Sequence, residues 1–120
     1  MKFISLFKSE EAVDKNILKE EFKAAVRTGE GRLGDCHPFY RYFINVKYVS
    51  YLNINKAYLR IESGESGEFL LRESYLILFF ADGTEVKLRF EREENVRTLL
   101  EYLNENYPNI EIGYKKNKEI

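Results

Sequence analysis

The stretch from Tyr75 to Tyr107 restricts the fold more than any other part of the 120-residue chain. It contains an apolar run, an Asp82-Gly83 turn and then alternating apolar and polar residues, which predicts two antiparallel strands joined by a tight loop. A helical stripe follows, formed by Val96, Leu99, Leu100, Leu103 and Tyr107. Pro108 prevents the helix from continuing. This stretch indicates a scaffold and contains no cluster of reactive side chains.

The amino-acid composition excludes several classes of protein and of binding site. With 44% apolar residues, the chain suits one compact domain over residues 1–120, and its formal charge of -1 gives no long-range field that would attract nucleic acid. The single Cys36 cannot close an internal disulfide, and one Cys beside one His cannot supply the four ligands of a structural zinc site. We therefore expect a cytoplasmic protein without nucleic-acid binding, cofactor, metal or catalytic residues. We also expect no stable membrane insertion, because no window approaches about 20 apolar residues.

The N-terminal part predicts an amphipathic helix over about residues 9–28, capped by Ser9 and stopped by Gly29. Aromatic and β-branched residues between Gly31 and Leu59, broken by Pro38, predict short strands joined by turns. Residues 63–68 predict a loop, and residues 108–120 a tail with a short strand near its start.

A two-residue type I′ loop at Asp82-Gly83 predicts the register of the last hairpin. Counting outward, Phe79 pairs with Val86 and Ile77 with Leu88 on an inward apolar face. The other face of the first strand then carries Leu76, Leu78 and Phe80. Three large apolar side chains facing outward are typical of a contact surface, so these residues form the candidate interaction face. Either the N-terminal helix or a second subunit is expected to cover it.

Three stretches resemble bacterial pleckstrin-homology-like domains: Arg32-Leu33-Gly34 at a strand start, Tyr48 to Ile54 before another strand, and Tyr75 to Tyr107. The resemblance covers about residues 31–107. It implies an α+β fold, with a pleckstrin-homology-like antiparallel β-barrel or sandwich, a C-terminal helix and an extra N-terminal helix. It also implies a binding or assembly module, since such domains mostly hold peptides, lipid head groups or partner domains.

Three hypotheses for function follow. The first is a non-enzymatic module acting through protein or peptide contacts, with a homodimer as one form of such contact. The alternative is a module that binds an anionic lipid or metabolite through Arg32, Arg41 and Lys47 near the first hairpin. The third is an enzyme built on Cys36 and His37, which requires both side chains to converge in a turn, because neighbouring strand residues point to opposite faces.

Overall fold

A computed structural model describes residues 1–9, 12–66 and 69–113. The elements follow in the order β1 (Lys2–Ser5), α1 (Lys15–Ala24), β2 (Val26–Thr28), β3 (Gly31–Leu33), β4 (Pro38–Tyr42), β5 (Asn45–Tyr48), a 3-10 turn (Tyr51–Asn53), β6 (Ile54–Ser66), β7 (Phe69–Phe80), β8 (Glu85–Phe90), α2 (Glu93–Asn106) and β9 (Glu111–Gly113). The predicted short strand near the start of the tail is present as β9. The predicted loop is wrong for residues 63–66, which belong to β6, and residues 67–68 lie outside the described ranges.

The strands form two sheets. The five-stranded sheet has the order β1-β5-β4-β3-β2, and the four-stranded sheet has the order β8-β7-β6-β9. Neighbouring strands are antiparallel except for two pairs, β1 with β5 and β9 with β6, which are parallel. The α+β class is confirmed, whereas neither sheet closes into a barrel within the described ranges. No helix in this part of the chain has the length and apolar character needed to cross a membrane.

The main core lies between the two sheets and α2. The predicted stripe of α2 is confirmed for Val96, Leu99, Leu100 and Leu103, which are all buried there, whereas Tyr107 lies just beyond the end of the helix at Asn106. Each such side chain contributes roughly 1.5–3 kcal/mol when it is fully removed from water. The five-stranded sheet contributes Leu33 and Tyr40 to the same cluster. The C-terminal helix is therefore held by burial of its apolar face.

The N-terminal helix is present but shorter than predicted. It begins after Asp14, whose side chain accepts a hydrogen bond from Asn16 N at 2.8 Å, and not after Ser9. It ends at Ala24, and β2 follows at once and pairs with β3 around the Gly29 turn. The β-branched Val26 and Thr28 favour this strand. Val26 also continues the apolar helical spacing of the preceding residues, which concealed the hairpin in the sequence.

A second, smaller core fixes α1 to the outer face of the five-stranded sheet. Leu18 and Phe22 of the helix pack there against Phe39, Val46 and Tyr48. The rings of Phe22 and Phe39 meet edge to face, with centroids 5.4 Å apart. The predicted helix thus has a buried face, but that face does not contact the four-stranded sheet's core residues.

The predicted register of the last hairpin is wrong by one residue. Phe80 N donates to Thr84 O at 2.9 Å, and Gly83 N donates to Phe80 O at 3.0 Å, so the loop has three residues instead of two. Gly83 has a φ of 89°, the left-handed conformation that closes such a three-residue loop. Asp82 stabilises the turn by accepting hydrogen bonds from the N–H and hydroxyl of Thr84.

This shift reverses the two faces of β7, because side chains alternate along a strand. Leu76 now pairs with Leu88 and Leu78 with Val86. Leu76, Leu78 and Phe80 are only 6%, 3% and 1% exposed, and they belong to the main core with α2. The predicted interaction face is therefore wrong. Neither α1 nor a second subunit is its cover, since α2 and the five-stranded sheet already bury it.

Candidate anion-binding groove

The register of β2, β3 and β4 brings three arginines onto one face of the five-stranded sheet. Arg27 lies directly opposite Arg32, and Arg32 lies opposite Phe39. Arg41 stands two residues beyond Phe39 on β4 and therefore shares its face. α1 covers the part of this face near Phe39, while the arginines continue past it toward the sheet edge.

An open groove of about 530 Å³ runs along these arginines. Arg92, just before α2, completes a set of four arginines in its wall, and Glu30 and Glu91 are the two acidic residues that line it. The lining therefore carries a formal charge of +2, from four arginines minus two glutamates. We call this feature the arginine groove.

The guanidinium groups of the groove are held by backbone carbonyls instead of carboxylates. Arg27 Nε donates to Gly29 O at 3.2 Å, and Arg41 Nε donates to Phe43 O at 2.9 Å. Arg32 Nη1 donates to Phe22 O at 3.2 Å. Within the described ranges, none of these three arginines forms an ion pair. Their positive charges are thus positioned by neutral partners and are left uncompensated.

Arg32 occupies the centre of the cluster. Its guanidinium carbon lies 4.1 Å from the centroid of the Phe22 ring, a cation–π contact that orients the side chain. Burial lowers the pKa of Arg32, and repulsion from Arg27 and Arg41 lowers it further. The folded chain therefore holds this positive charge in an unfavourable field.

Arg92 and Glu30 already have partners of their own. Arg92 Nη1 lies 3.1 Å from Glu94 Oε1, so its charge already has a partner. Glu30 Oε2 accepts the backbone N–H of Glu91 at 2.9 Å. The uncompensated part of the groove consists of Arg27, Arg32 and Arg41.

The outer face of the four-stranded sheet shows the opposite arrangement. Its basic side chains are matched with glutamates: Arg60 and Lys87 with Glu62, Arg89 with Glu73, and Lys56 with Glu111. Exposed pairs of this kind contribute little stability, but they neutralise the surface. The uncompensated charge of the groove is therefore a local feature and not a general property of the molecule's surface.

The structure divides the predicted basic trio. Arg32 and Arg41 lie together in the groove, whereas Lys47 pairs with Tyr40 and faces the crevice between the two sheets. Lys47 as a member of the ligand site is therefore wrong. Arg27 was missed, because the sequence pattern placed it in the last turn of a helix, and Arg92 was missed, because it lies far away in sequence. Only the pairing of β2 with β3 shows that Arg27 belongs to the site.

A buried carboxylate organises the turn that contains Cys36 and His37. Glu21 Oε2 accepts the backbone N–H groups of both residues at 2.8 Å, and Glu21 Oε1 lies 2.8 Å from His37 Nδ1. The side chains of Glu21 and His37 are 12% and 8% exposed, whereas Cys36 is exposed. The His37 ring is thus engaged with Glu21, and this cluster anchors α1 to the turn before β4.

Tyr51 fixes the same turn from the other side. Its hydroxyl donates to Gly34 O at 2.9 Å, and its ring stacks on Tyr107 with centroids 4.1 Å apart. Burial raises the pKa of Tyr51 well above its ordinary value, and the neighbouring Tyr102 and Tyr107 raise it further.

We expect stability to fall at alkaline pH through Tyr51. In the unfolded chain this tyrosine ionises near pH 10, whereas the folded chain keeps it neutral to higher pH, so its contribution is complete below about pH 10 and is lost above it. The loss should approach about 1.4 kcal/mol per pH unit for one such group. Denaturant unfolding across this range should show a steeper decline for wild type than for Tyr51→Phe. Parallel declines would contradict this assignment.

Comparison with protein-family models, curated proteins and solved structures found no match for the chain. The resemblance to pleckstrin-homology-like domains therefore stays a prediction.

Proposed function

We propose that the chain is a binding module whose arginine groove takes an anionic group of the phosphate or carboxylate type. The carrying observation is that Arg27, Arg32 and Arg41 converge on one groove and form no ion pair within the described part of the chain. The guanidinium fork matches phosphate and carboxylate oxygens, which it can bind through two parallel hydrogen bonds. Each of the three groups keeps further N–H donors beyond the one used on a backbone carbonyl.

Repulsion between like charges favours binding of an anion in the arginine groove. Like charges directly opposite each other on neighbouring strands destabilise the pair, and Arg27 and Arg32 are placed in this way. An anion between them would remove the repulsion and satisfy the free donors at once. Because the net charge of the chain is -1, the attraction is local and depends on the groove itself.

The hypothesis of assembly through protein contacts has lost the surface on which it was based, because Leu76, Leu78 and Phe80 are buried in the core. An acidic protein segment remains one possible source of the anion. The homodimer and the cytoplasmic location remain predictions of the sequence.

A pleckstrin-homology-like arrangement is also proposed for the fold. Strands β2 to β5 form one antiparallel meander, strands β6 to β8 form a second, and α2 follows directly. This order supports the proposal. The added parallel strands β1 and β9 and the helix α1 are departures from it.

Thermal unfolding with inorganic pyrophosphate tests the groove. A ligand at 100 times its Kd stabilises a protein by about 2.7 kcal/mol, so the melting temperature of wild type should rise and the rise should shrink in high salt. Arg27→Gln and Arg41→Gln should each weaken binding about ten-fold or more, because a charge-assisted hydrogen bond is lost.

Arg60→Gln is the matched control, since Arg60 is an exposed arginine that is already paired with Glu62 on the four-stranded sheet. It should retain the full response. Without pyrophosphate, Arg27→Gln should melt no lower than wild type at low salt, because it relieves repulsion with Arg32. The proposal fails if wild type shows no salt-sensitive response, or if the groove variants and Arg60→Gln respond alike.

A further inference from the structure

The hairpin tip between β4 and β5 exposes three consecutive apolar residues. Tyr42, Phe43 and Ile44 are 57%, 75% and 69% exposed. A run of exposed apolar side chains is unfavourable in water and is typical of a binding surface. The Tyr42 and Phe43 rings contact each other edge to face with centroids 4.5 Å apart, so they project as one aromatic unit. We call these three residues the apolar tip.

The backbone of the tip does not favour an aromatic residue. Phe43 has a φ of 57°, and it is the only non-glycine residue with a positive φ in the described ranges. A two-residue hairpin loop with a positive φ at its first position usually has glycine there. Phe43 instead places a large ring at this position, and Arg41 Nε holds its carbonyl oxygen at 2.9 Å. The ring is thus present against the local conformational preference, which points to a use outside the fold.

The apolar tip and the arginine groove form one continuous surface. Phe43 lines the groove beside Arg27, Arg32 and Arg41. Strand β1 begins beside the tip, where Lys2 N donates to Ile44 O at 2.8 Å, and the Lys2 side chain is exposed. Cations and exposed apolar side chains therefore meet at one end of the five-stranded sheet.

We propose that this surface docks on an anionic lipid bilayer, with a lipid phosphate in the arginine groove and the apolar tip inserted at the interface. This inference rests on the proposed function. A soluble phosphate compound would satisfy the arginines but would leave the tip in water. A bilayer satisfies both, because peripheral binding strengthens with buried apolar area and with attraction to anionic lipids. Tyr42 suits this position, since tyrosine is enriched at membrane interfaces.

A single tryptophan at the tip gives a direct readout, because the natural chain has none. Phe43→Trp should show a blue-shifted emission with vesicles made of equal parts phosphatidylcholine and phosphatidylglycerol, and lipids brominated along their acyl chains should quench it. Pure phosphatidylcholine vesicles should leave the emission unchanged. Emission that is unaffected by the anionic vesicles would overturn insertion of the tip.

Sedimentation with the same anionic vesicles compares the two parts of the surface. Phe43→Asn should weaken vesicle binding about ten-fold, as expected for loss of one inserted apolar side chain. Asparagine tolerates a positive φ, so this variant keeps the turn. Arg27→Gln should weaken binding about five-fold, the effect of one basic residue near an anionic surface. Leu52→Asn, which removes an 87% exposed apolar side chain outside the groove, should bind like wild type.

The outcomes separate this inference from the proposed function. If pyrophosphate stabilises both wild type and Phe43→Asn while anionic vesicles are not bound, the groove stands and membrane docking is overturned. Equal vesicle binding by wild type and Phe43→Asn also overturns the role of the tip, as does groove-dependent binding of a phosphorylated peptide without any vesicle binding. If Arg27→Gln changes neither pyrophosphate binding nor vesicle binding, both proposals are wrong.

Discussion

Leu78→Asp should prevent the chain from folding, whereas Phe79→Asp should leave it folded. Leu78 is 3% exposed within the main core. Loss of its packing costs about 2–5 kcal/mol, and burial of an unpaired carboxylate adds several kcal/mol. The sum reaches the total stability of a typical domain, about 5–15 kcal/mol. Circular dichroism and the dispersion of amide NMR signals should show an unfolded chain.

Phe79 lies on the outer face of the four-stranded sheet, half-buried and stacked on Tyr58 with centroids 5.9 Å apart. Lys56 Nζ lies 5.8 Å from the centroid of the Phe79 ring, so an introduced carboxylate would meet a cation and water. We expect a cost of about 1–2 kcal/mol. A folded, monomeric Leu78→Asp variant would contradict the observed register and would restore Leu76, Leu78 and Phe80 as an interface.

Glu21→Ala should destabilise the protein by about 3–5 kcal/mol. The substitution removes the acceptor for the backbone N–H groups of Cys36 and His37 and the partner of the His37 ring in one step. The loss leaves three polar groups at this turn without their acceptor, which is why the cost exceeds that of a change at a single surface contact. Urea unfolding should show a lower midpoint, and the Cys36 and His37 amides should exchange faster with solvent.

Glu21→Gln is the matched comparison. Its amide oxygen can accept both backbone N–H groups, and its amide nitrogen can donate to His37 Nδ1 when the ring proton resides on Nε2. We therefore expect a cost of only about 1–2 kcal/mol. If Ala and Gln variants lost the same stability, the hydrogen bonds of this turn would not be the source of the effect. Vesicle and pyrophosphate binding should persist in the Gln variant, because Glu21 does not line the groove.

Long periodic segments were predictable from the sequence. The stripe from Val96 to Leu103 identified α2 and its buried face, because helical spacing over several turns has few alternative interpretations. The hairpin at Asp82-Gly83 was also located correctly. Its register was not, since the same dipeptide fits a two-residue and a three-residue loop, and a shift of one residue reverses every side chain.

The site was only partly predictable, because it depends on pairing between short strands. Arg32 and Arg41 were recognised as a basic pair near one hairpin. Arg27 joined them only through β2, a three-residue strand whose spacing was equally compatible with a helix. The sequence groups Lys47 with these arginines by proximity along the chain, but the pairing of β4 with β5 puts it on the other face of the sheet. The uncompensated charge of the three arginines depends on how far the glutamates lie from them in the folded chain, and spacing along the sequence does not predict these distances.

The separation of the two apolar clusters gives the molecule two units that can open independently. α1 is held by the small cluster around Leu18 and Phe22, while α2 and both sheets share the large one. Detachment of α1 would break the small cluster and the hydrogen bonds of Glu21 but would leave the larger cluster intact. Phe22 both supports the Arg32 guanidinium and accepts its hydrogen bond, so this partial opening would free Arg32. Docking of α1 on the sheet is thus coupled to the position of Arg32 at the binding surface. A ligand that requires a fixed Arg32 would stabilise the docked position of α1 when it binds.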